Sequence, residues 1–341
     1  MTFDPNAAAK PGSGIFGLPH SSEEARVVLI PVPFEATTSY GGGTVDGPQA
    51  IREASLQVDL FDIETGKPYE AGLHMLAESA QVRAWNDEAR ESAQLIIEAG
   101  GAHGDPRLEA ALAKVNQLSE KMNGWVHAEA QKWLRAGKVV GLVGGDHSAP
   151  FGSIQAHAEA YPELGVLHLD AHADLRVAYE GFVWSHASIM HNVVARLPGV
   201  KRLVQVGIRD LCEEEHDQIA ASNGRIVTHF DALLAAERMR GATWQQQLAK
   251  IVEPLPHDVY LSFDIDGLDP VLCPHTGTPV PGGLSFQEAS ALIRAVVESG
   301  RRIVGFDLNE VAPGPDGDEW DGNVAARLLY KMIGWALKSQ H

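Results

Sequence analysis

Gly165-Val166-Leu167-His168-Leu169-Asp170-Ala171-His172-Ala173-Asp174 passes from a short apolar run directly into a set of metal-binding side chains. The apolar half has the length and content of a buried strand. The polar half places Asp170, His172 and Asp174 at alternate positions, so the three side chains can converge on one side. The intervening Ala171 and Ala173 are small and leave them uncrowded.

Two more segments repeat the pattern. Lys138-Val139-Val140-Gly141-Leu142-Val143 leads into Gly144-Gly145-Asp146-His147-Ser148, and Asp258-Val259-Tyr260-Leu261-Ser262-Phe263 leads into Asp264-Ile265-Asp266. Taken singly, each has an ordinary explanation. An Asp-x-Asp is a turn or a helix start, and Gly-Gly-Asp-His is a strand-to-helix turn with Asp146 or Ser148 capping. Three such endings in one chain point instead to a shared metal centre. Buried carboxylates are costly and repel one another unless a cation is present. Asp170, Asp174, Asp264 and Asp266 carry −4 together, which two divalent cations would balance. Mixed imidazole and carboxylate ligation without cysteine suits Mn²⁺, Ni²⁺, Fe²⁺ or Zn²⁺ and disfavours Ca²⁺.

Further strand-like runs lie at 27–32, 203–207, 225–229 and 302–307. Helix-like stretches at 106–136, 150–160, 186–196, 211–222, 244–253, 286–299 and 321–338 separate most of the strands. This alternation predicts an α/β fold of three layers, α/β/α, with a mostly parallel central sheet. Ligands of such sheets bind outside the carboxyl ends of the strands, where all three motifs fall. Residues 1–25 read as an irregular arm, loose or packed on a neighbouring subunit. Residues 26–341 read as one catalytic domain, with a charged, Ala-rich helical insertion near 86–136 expected to be a peripheral hairpin.

The 341 residues are 45% hydrophobic and 21% charged, enough for a large core. A net charge of −18 argues against nucleic acid or an anionic membrane as partner. No apolar run is long enough to span a bilayer, and the first twenty residues lack a signal pattern. The two cysteines, Cys212 and Cys273, are expected to stay reduced, which fits a cytoplasmic protein.

GGDHS at 144–148, LDAHADL at 169–175, SFDIDGLDP at 262–270, TGTPVPGGLS at 276–285 and the pair Asn309-Glu310 resemble the ureohydrolases, the family of arginase and agmatinase, over about residues 26–338. The resemblance implies a dinuclear centre, usually Mn²⁺. His147, Asp170, Asp174 and Asp264 would hold one ion, and Asp170, His172, Asp264 and Asp266 the other. It also implies a homo-oligomer, trimer or hexamer. The reaction expected is hydrolysis of a small cationic guanidino compound to urea and an amine or ammonia. Cations would acidify a shared water until it attacks the guanidinium carbon, with Asp174 holding that nucleophile. His186 matches the family's proton-shuttling histidine, and Glu310 the acid that pairs with the guanidinium.

Residues 175–184 lack the Asn and Ser pattern of arginases, and TGTPVPGG resembles agmatinases more. Thr37 to Thr44, Cys273-Pro274-His275 and the insertion depart from ordinary agmatinases and resemble a branch containing guanidine hydrolases, some of which use Ni²⁺. Tyr40, Tyr179, Phe182 and Trp184 are candidates to narrow the pocket, which favours free guanidine over agmatine, guanidinobutyrate or guanidinopropionate. A zinc deacetylase-like amide hydrolase needs one ion only, and the second set of ligands disfavours it. A metal-stabilised scaffold would need neither His186 nor Glu310.

Overall fold

The structure, a computed structural model, describes residues 3–10 and 12–340. Met1, Thr2 and Pro11 of the expected arm, and His341 of the expected domain, lie outside the described residues. Eight parallel strands form one sheet: β1 (Val27–Val32), β2 (Leu73–Met75), β3 (Val139–Gly144), β4 (Leu164–Leu169), β5 (Val200–Ile208), β6 (Ile226–Phe230), β7 (Asp258–Asp264) and β8 (Arg302–Asn309). Their order across the sheet is β2-β1-β3-β8-β7-β4-β5-β6. Among the described residues the helices are α1 (Gly47–Ala54), α2 (Ala80–Ala99), α3 (Pro106–Arg135), α4 (Phe151–Ala160), α5 (Ile189–Arg196), α6 (Glu213–Ala221), α7 (Asp231–Met239), α8 (Trp244–Val252), α9 (Phe286–Glu298) and α10 (Trp320–Lys338).

Both sheet faces are covered because the strands are apolar on both sides, as parallel sheets require. Alternation along β1 assigns the layers: Val27 and Leu29 join a core built with α1, α8, α9 and α10, whereas Val28, Ile30 and Val32 join one built with α2, α3 and α4. α5 packs on the latter side, against β4 and β5.

The order places β3, β8, β7 and β4 side by side at the centre. These strands come from distant parts of the chain, yet each ends in one of the motifs. The carboxyl ends of four neighbouring strands therefore form one cup. Gly145 makes the first turn into it possible: a Cβ there would lie 2.2 Å from the Phe34 carbonyl oxygen, against backbone that cannot yield.

Two expectations need revision. Residues 15–18 pack on this chain's own core: Ile15, Phe16 and Leu18 are buried, and the Phe16 ring sits 4.8 Å from that of Tyr330 on α10. The hairpin is no peripheral addition either. Val82 and Ala89 on α2, and Leu118, Met122, Val126 and Ala130 on α3, cover the face of β1 and β3. Their three- and four-residue spacing gives each helix an apolar stripe that must be buried.

Candidate active site

His147 sits at the bottom of the cup. Its Nδ1 lies 3.0 Å from Asp170 Oδ2, 3.3 Å from Asp174 Oδ2 and 3.2 Å from Asp264 Oδ2. One ring nitrogen carries at most one proton, so it cannot satisfy three carboxylates. The opposite side of the ring points to which tautomer is present. Ser262 Oγ donates to Asp307 Oδ1 at 2.9 Å, and His147 Nε2 stands 2.9 Å from the same hydroxyl. Ser262 has one proton, so it accepts from Nε2–H, and in the neutral ring the Nδ1 lone pair would face the three carboxylates. A lone pair and three carboxylates around one point are the donor set of a cation.

A second group lies beside it. His172 Nδ1 is 3.0 Å from Asp266 Oδ2 and 3.5 Å from Asp170 Oδ1. The backbone N–H of Asp266 donates to Asp264 Oδ1 at 2.9 Å, which ties the two ends of the Asp264-Ile265-Asp266 turn together. The structure thus brings His147, Asp170, His172, Asp174, Asp264 and Asp266 together in one cluster, buried apart from the partly buried His172.

The titration of the cluster has the same meaning. Burial, followed by the charge of Asp170, pushes Asp174 up to about 7. Burial, followed by the charge of Asp266, pushes Asp264 well above the usual carboxylate range. Burial opposes a charge on His147, yet hydrogen bonds with Asp170, Asp174 and Asp264 raise it well above an ordinary imidazole. Without cations the cluster draws in protons, as closely spaced buried carboxylates must. The residues present therefore fit a pair of divalent ions.

His168 belongs to the cluster but has a different task. Its Nε2 is 2.8 Å from Asp170 Oδ2, and its Nδ1 accepts from the Gln205 amide at 3.1 Å. That amide also donates to the Ala173 carbonyl at 2.7 Å, so its orientation is set. Nε2 of His168 therefore carries the proton and donates to Asp170, orienting it. Asp146 is spent locally: its Oδ1 accepts from the Ser148 N–H at 2.9 Å and from the Ser148 hydroxyl.

Glu310 follows β8 in a left-handed conformation, φ 62°, and Asp174 has φ 55°. Side chains seldom adopt this region, and such strain gathers at functional sites. Glu310 Oε1 accepts from the His147 backbone N–H at 2.8 Å. Burial, then the charge of Asp146, pushes its carboxyl well above the usual range. His186 lies at the start of the turn leading into α5. Its Nδ1 is 3.2 Å from Thr37 Oγ1. Burial, then the nearby His172 and His147 charges, holds the imidazole down to about 4, so it is neutral at neutral pH.

A cavity of about 220 Å³ rises from His172, Asp174 and His186 to Ser39, Tyr40, Arg176, Tyr179, Asp210 and Thr278. Of the four aromatics expected to narrow it, Tyr40 and Tyr179 line it. Phe182 is buried among Ala93, Ile96 and Val115 beneath the hairpin, and Trp184 packs on Phe151, with ring centroids 4.9 Å apart. Tyr40 is 86% exposed and closes nothing.

A cup at the strand ends of a three-layer parallel fold, with paired acid and imidazole clusters, defines a metal-dependent hydrolase. The chain matches the arginase family over residues 25–334, and it belongs to that family. It is an amidinohydrolase, cleaving C–N bonds of guanidino compounds, and the family uses a binuclear divalent metal centre. An N(1)-aminopropylagmatine ureohydrolase of Thermus thermophilus is 36% identical over 314 residues, covering 92% of this chain and 90% of that protein. The agmatinase of Bacillus subtilis (strain 168) is 30% identical over 316 residues, 91% of this chain and 92% of that protein. The crystal structure of agmatine ureohydrolase of Thermoplasma volcanium superposes with a TM-score of 0.73 at 23% identity, covering 96% of this chain and 94% of that one.

Sequence reading missed His168, Gln205, Ser262 and Asp307 as working residues. A histidine inside the apolar run 165–169, two residues before Asp170, was the available signal for the first. The others act across strands, and only the sheet order brings them together.

Proposed function

We propose that the chain hydrolyses a linear guanidino-amine of the agmatine kind to urea and a polyamine. Free guanidine, favoured on sequence, loses its main support because Phe182 is a core residue, the partly buried Trp184 packs on Phe151 away from the cavity, and Tyr40 leaves the mouth open. The relatives named for agmatine and aminopropylagmatine favour the longer substrate. The carboxylate of Asp210 at the mouth supports it too, since it is exposed and accepts no hydrogen bond among the described residues. A distal ammonium fits there.

His147, Asp170, Asp174 and Asp264 are assigned to one ion, and Asp170, His172, Asp264 and Asp266 to the other, Mn²⁺ or Ni²⁺. Bound there, the ions would supply a water acidic enough to act as a nucleophile near neutral pH. The chain's own residues do the rest. Glu310 pairs with the guanidinium, whose charge compensates its buried carboxylate. Asp174 accepts a hydrogen bond from the attacking water and holds it in line. His186, neutral and flanking the cavity, takes up a proton and passes it to the departing nitrogen, because an amine leaves only when protonated. A cytoplasmic homo-oligomer, trimer or hexamer, completes the proposal; light scattering of the purified protein tests the assembly.

The observation that carries this reading is the His147 Nδ1 facing three carboxylates. The test is urea release from agmatine, aminopropylagmatine, guanidinobutyrate, guanidinopropionate, arginine and guanidine, with Mn²⁺ or Ni²⁺ loaded. Highest kcat/KM on an amine-bearing substrate is expected. A preference for guanidine itself would contradict the substrate assignment.

A further inference from the structure

The loop from Glu35 to Val45 is held at several points. The Glu35 carboxylate closes it on itself: Oε2 accepts from Gly43 N–H at 2.8 Å, Thr44 Oγ1 at 3.0 Å and Val45 N–H at 3.1 Å. Gly41 N–H donates to the Gly277 carbonyl at 3.1 Å, and a Cβ at Gly41 would stand 2.6 Å from that oxygen. Within the loop Thr38 Oγ1 donates to the Glu35 carbonyl at 3.3 Å, and a backbone hydrogen bond ties Thr37 to the Asp146 carboxylate. Two further anchors come from α2. Asn86 is buried, and its Oδ1 accepts the Glu35 N–H at 2.7 Å. Four residues on, along the same helix face, Arg90 Nη1 donates to the Thr38 carbonyl and to the Ala36 carbonyl at 3.5 Å.

These contacts bracket Thr37. Its Oγ1 is 3.2 Å from His186 Nδ1 and accepts the His186 backbone N–H at 3.4 Å. The hydroxyl therefore fixes both the ring and the backbone of His186. With Nδ1 occupied, Nε2 is the nitrogen left to exchange protons, since it has no protein partner among the described residues. A buried asparagine between Val82 and Ala89 on a mainly apolar helix face is expensive unless it is hydrogen-bonded. Here it holds the segment that sets the histidine.

We propose that Asn86 and Arg90 of the α2–α3 hairpin are positioning residues for turnover, acting through Thr37 on the His186 ring. The inference rests on the role given to His186 above. It makes the hairpin part of the catalytic apparatus, although none of its residues lines the cavity.

The test uses the full-length, metal-loaded protein. Arg90→Met keeps the apolar stem and removes the N–H donors; Thr37→Val removes the hydroxyl without touching the hairpin. Each is expected to lower kcat on the best substrate by about 10–100-fold, the size of effect a small misplacement of a catalytic group produces, with KM and metal content near wild type. Arg90→Lys should recover part of the loss. In a His186→Ala background, Arg90→Met should change kcat by no more than about twofold, because the two act through one relay. Wild-type kcat in both Arg90→Met and Thr37→Val would overturn the proposal. So would an equal loss from Arg90→Met with and without His186. If the wild type released no urea from any substrate, the functional reading would fail, and the imidazole NMR signal of His186 would still decide this point. A signal shifted by Arg90→Met supports the relay, and one unmoved rejects it.

Discussion

The floor and the mouth of the pocket are built in opposite ways. The floor is made of side chains at the ends of four neighbouring strands, all buried apart from the partly buried His172, with His147 and Asp170 oriented from behind by Ser262 and His168. The mouth is made of loops, its Tyr40 and Asp210 stand in solvent, and a glycine-rich stretch, Gly41 to Gly43, follows Tyr40. Rigid strand ends hold charges that would otherwise repel; loops can vary without disturbing them. The contrast teaches that reaction type is written in the floor and substrate choice in the mouth. Changes in the floor should therefore affect all substrates alike, and changes in the mouth should separate them.

The largest expected effect comes from the floor. Asp266→Asn should weaken metal binding and cut turnover on every substrate by more than about 100-fold, since outer-partner changes at metal sites alone cost about 10–100-fold. Circular dichroism should show the fold retained. Full activity with two ions bound would break the comparison at its base. His186→Ala should keep both ions and lower kcat by about 10²–10⁴-fold, the usual range for a lost acid–base group. An unchanged rate would remove it from the mechanism.

The third effect is on stability. The carboxyl of Asp174 is raised to about 7 in the metal-free cluster, from an ordinary 3.8. The stability it gains by holding its proton is present below about pH 4 and is lost as pH rises through about 7. Divalent ions replace that proton, so metal loading releases protons and is stronger at higher pH. The rise in Tm on adding Mn²⁺ should therefore be larger at pH 8 than at pH 5.5. A rise independent of pH would contradict the cluster's assignment.

The smallest effect belongs to the mouth and sharpens the comparison most. Asp210→Asn should raise KM for agmatine by about tenfold, the worth of one hydrogen bond to a charged group, and leave guanidine hydrolysis unchanged. Equal losses on both would place Asp210 in the floor's category.

Much of the floor was legible because its signals are local. An apolar run followed by Asp170, His172 and Asp174 needs no tertiary information to be read. The order of the strands was not legible, since β8 enters between β3 and β7 by long crossovers that leave no local trace. β2 has three residues, Leu73-His74-Met75, too few for any periodicity. α2 starts at Ala80 rather than near 86, capped by Ser79 Oγ accepting the Val82 N–H at 3.3 Å, and α1 opens with Gly47-Pro48, which reads as a turn. Phe182 and Trp184 adjoin the motifs in sequence, yet their side chains turn into the core, and Asn86 and Arg90 carry no motif at all. Their contribution depends on which loop the helix meets.

The central claim is that two cations share this cup. An anomalous-scattering map of Mn²⁺-loaded crystals tests it directly. Two peaks are predicted, one at His147, Asp170, Asp174 and Asp264, the other at Asp170, His172, Asp264 and Asp266. A single peak, or peaks away from these side chains in fully loaded protein, would contradict it.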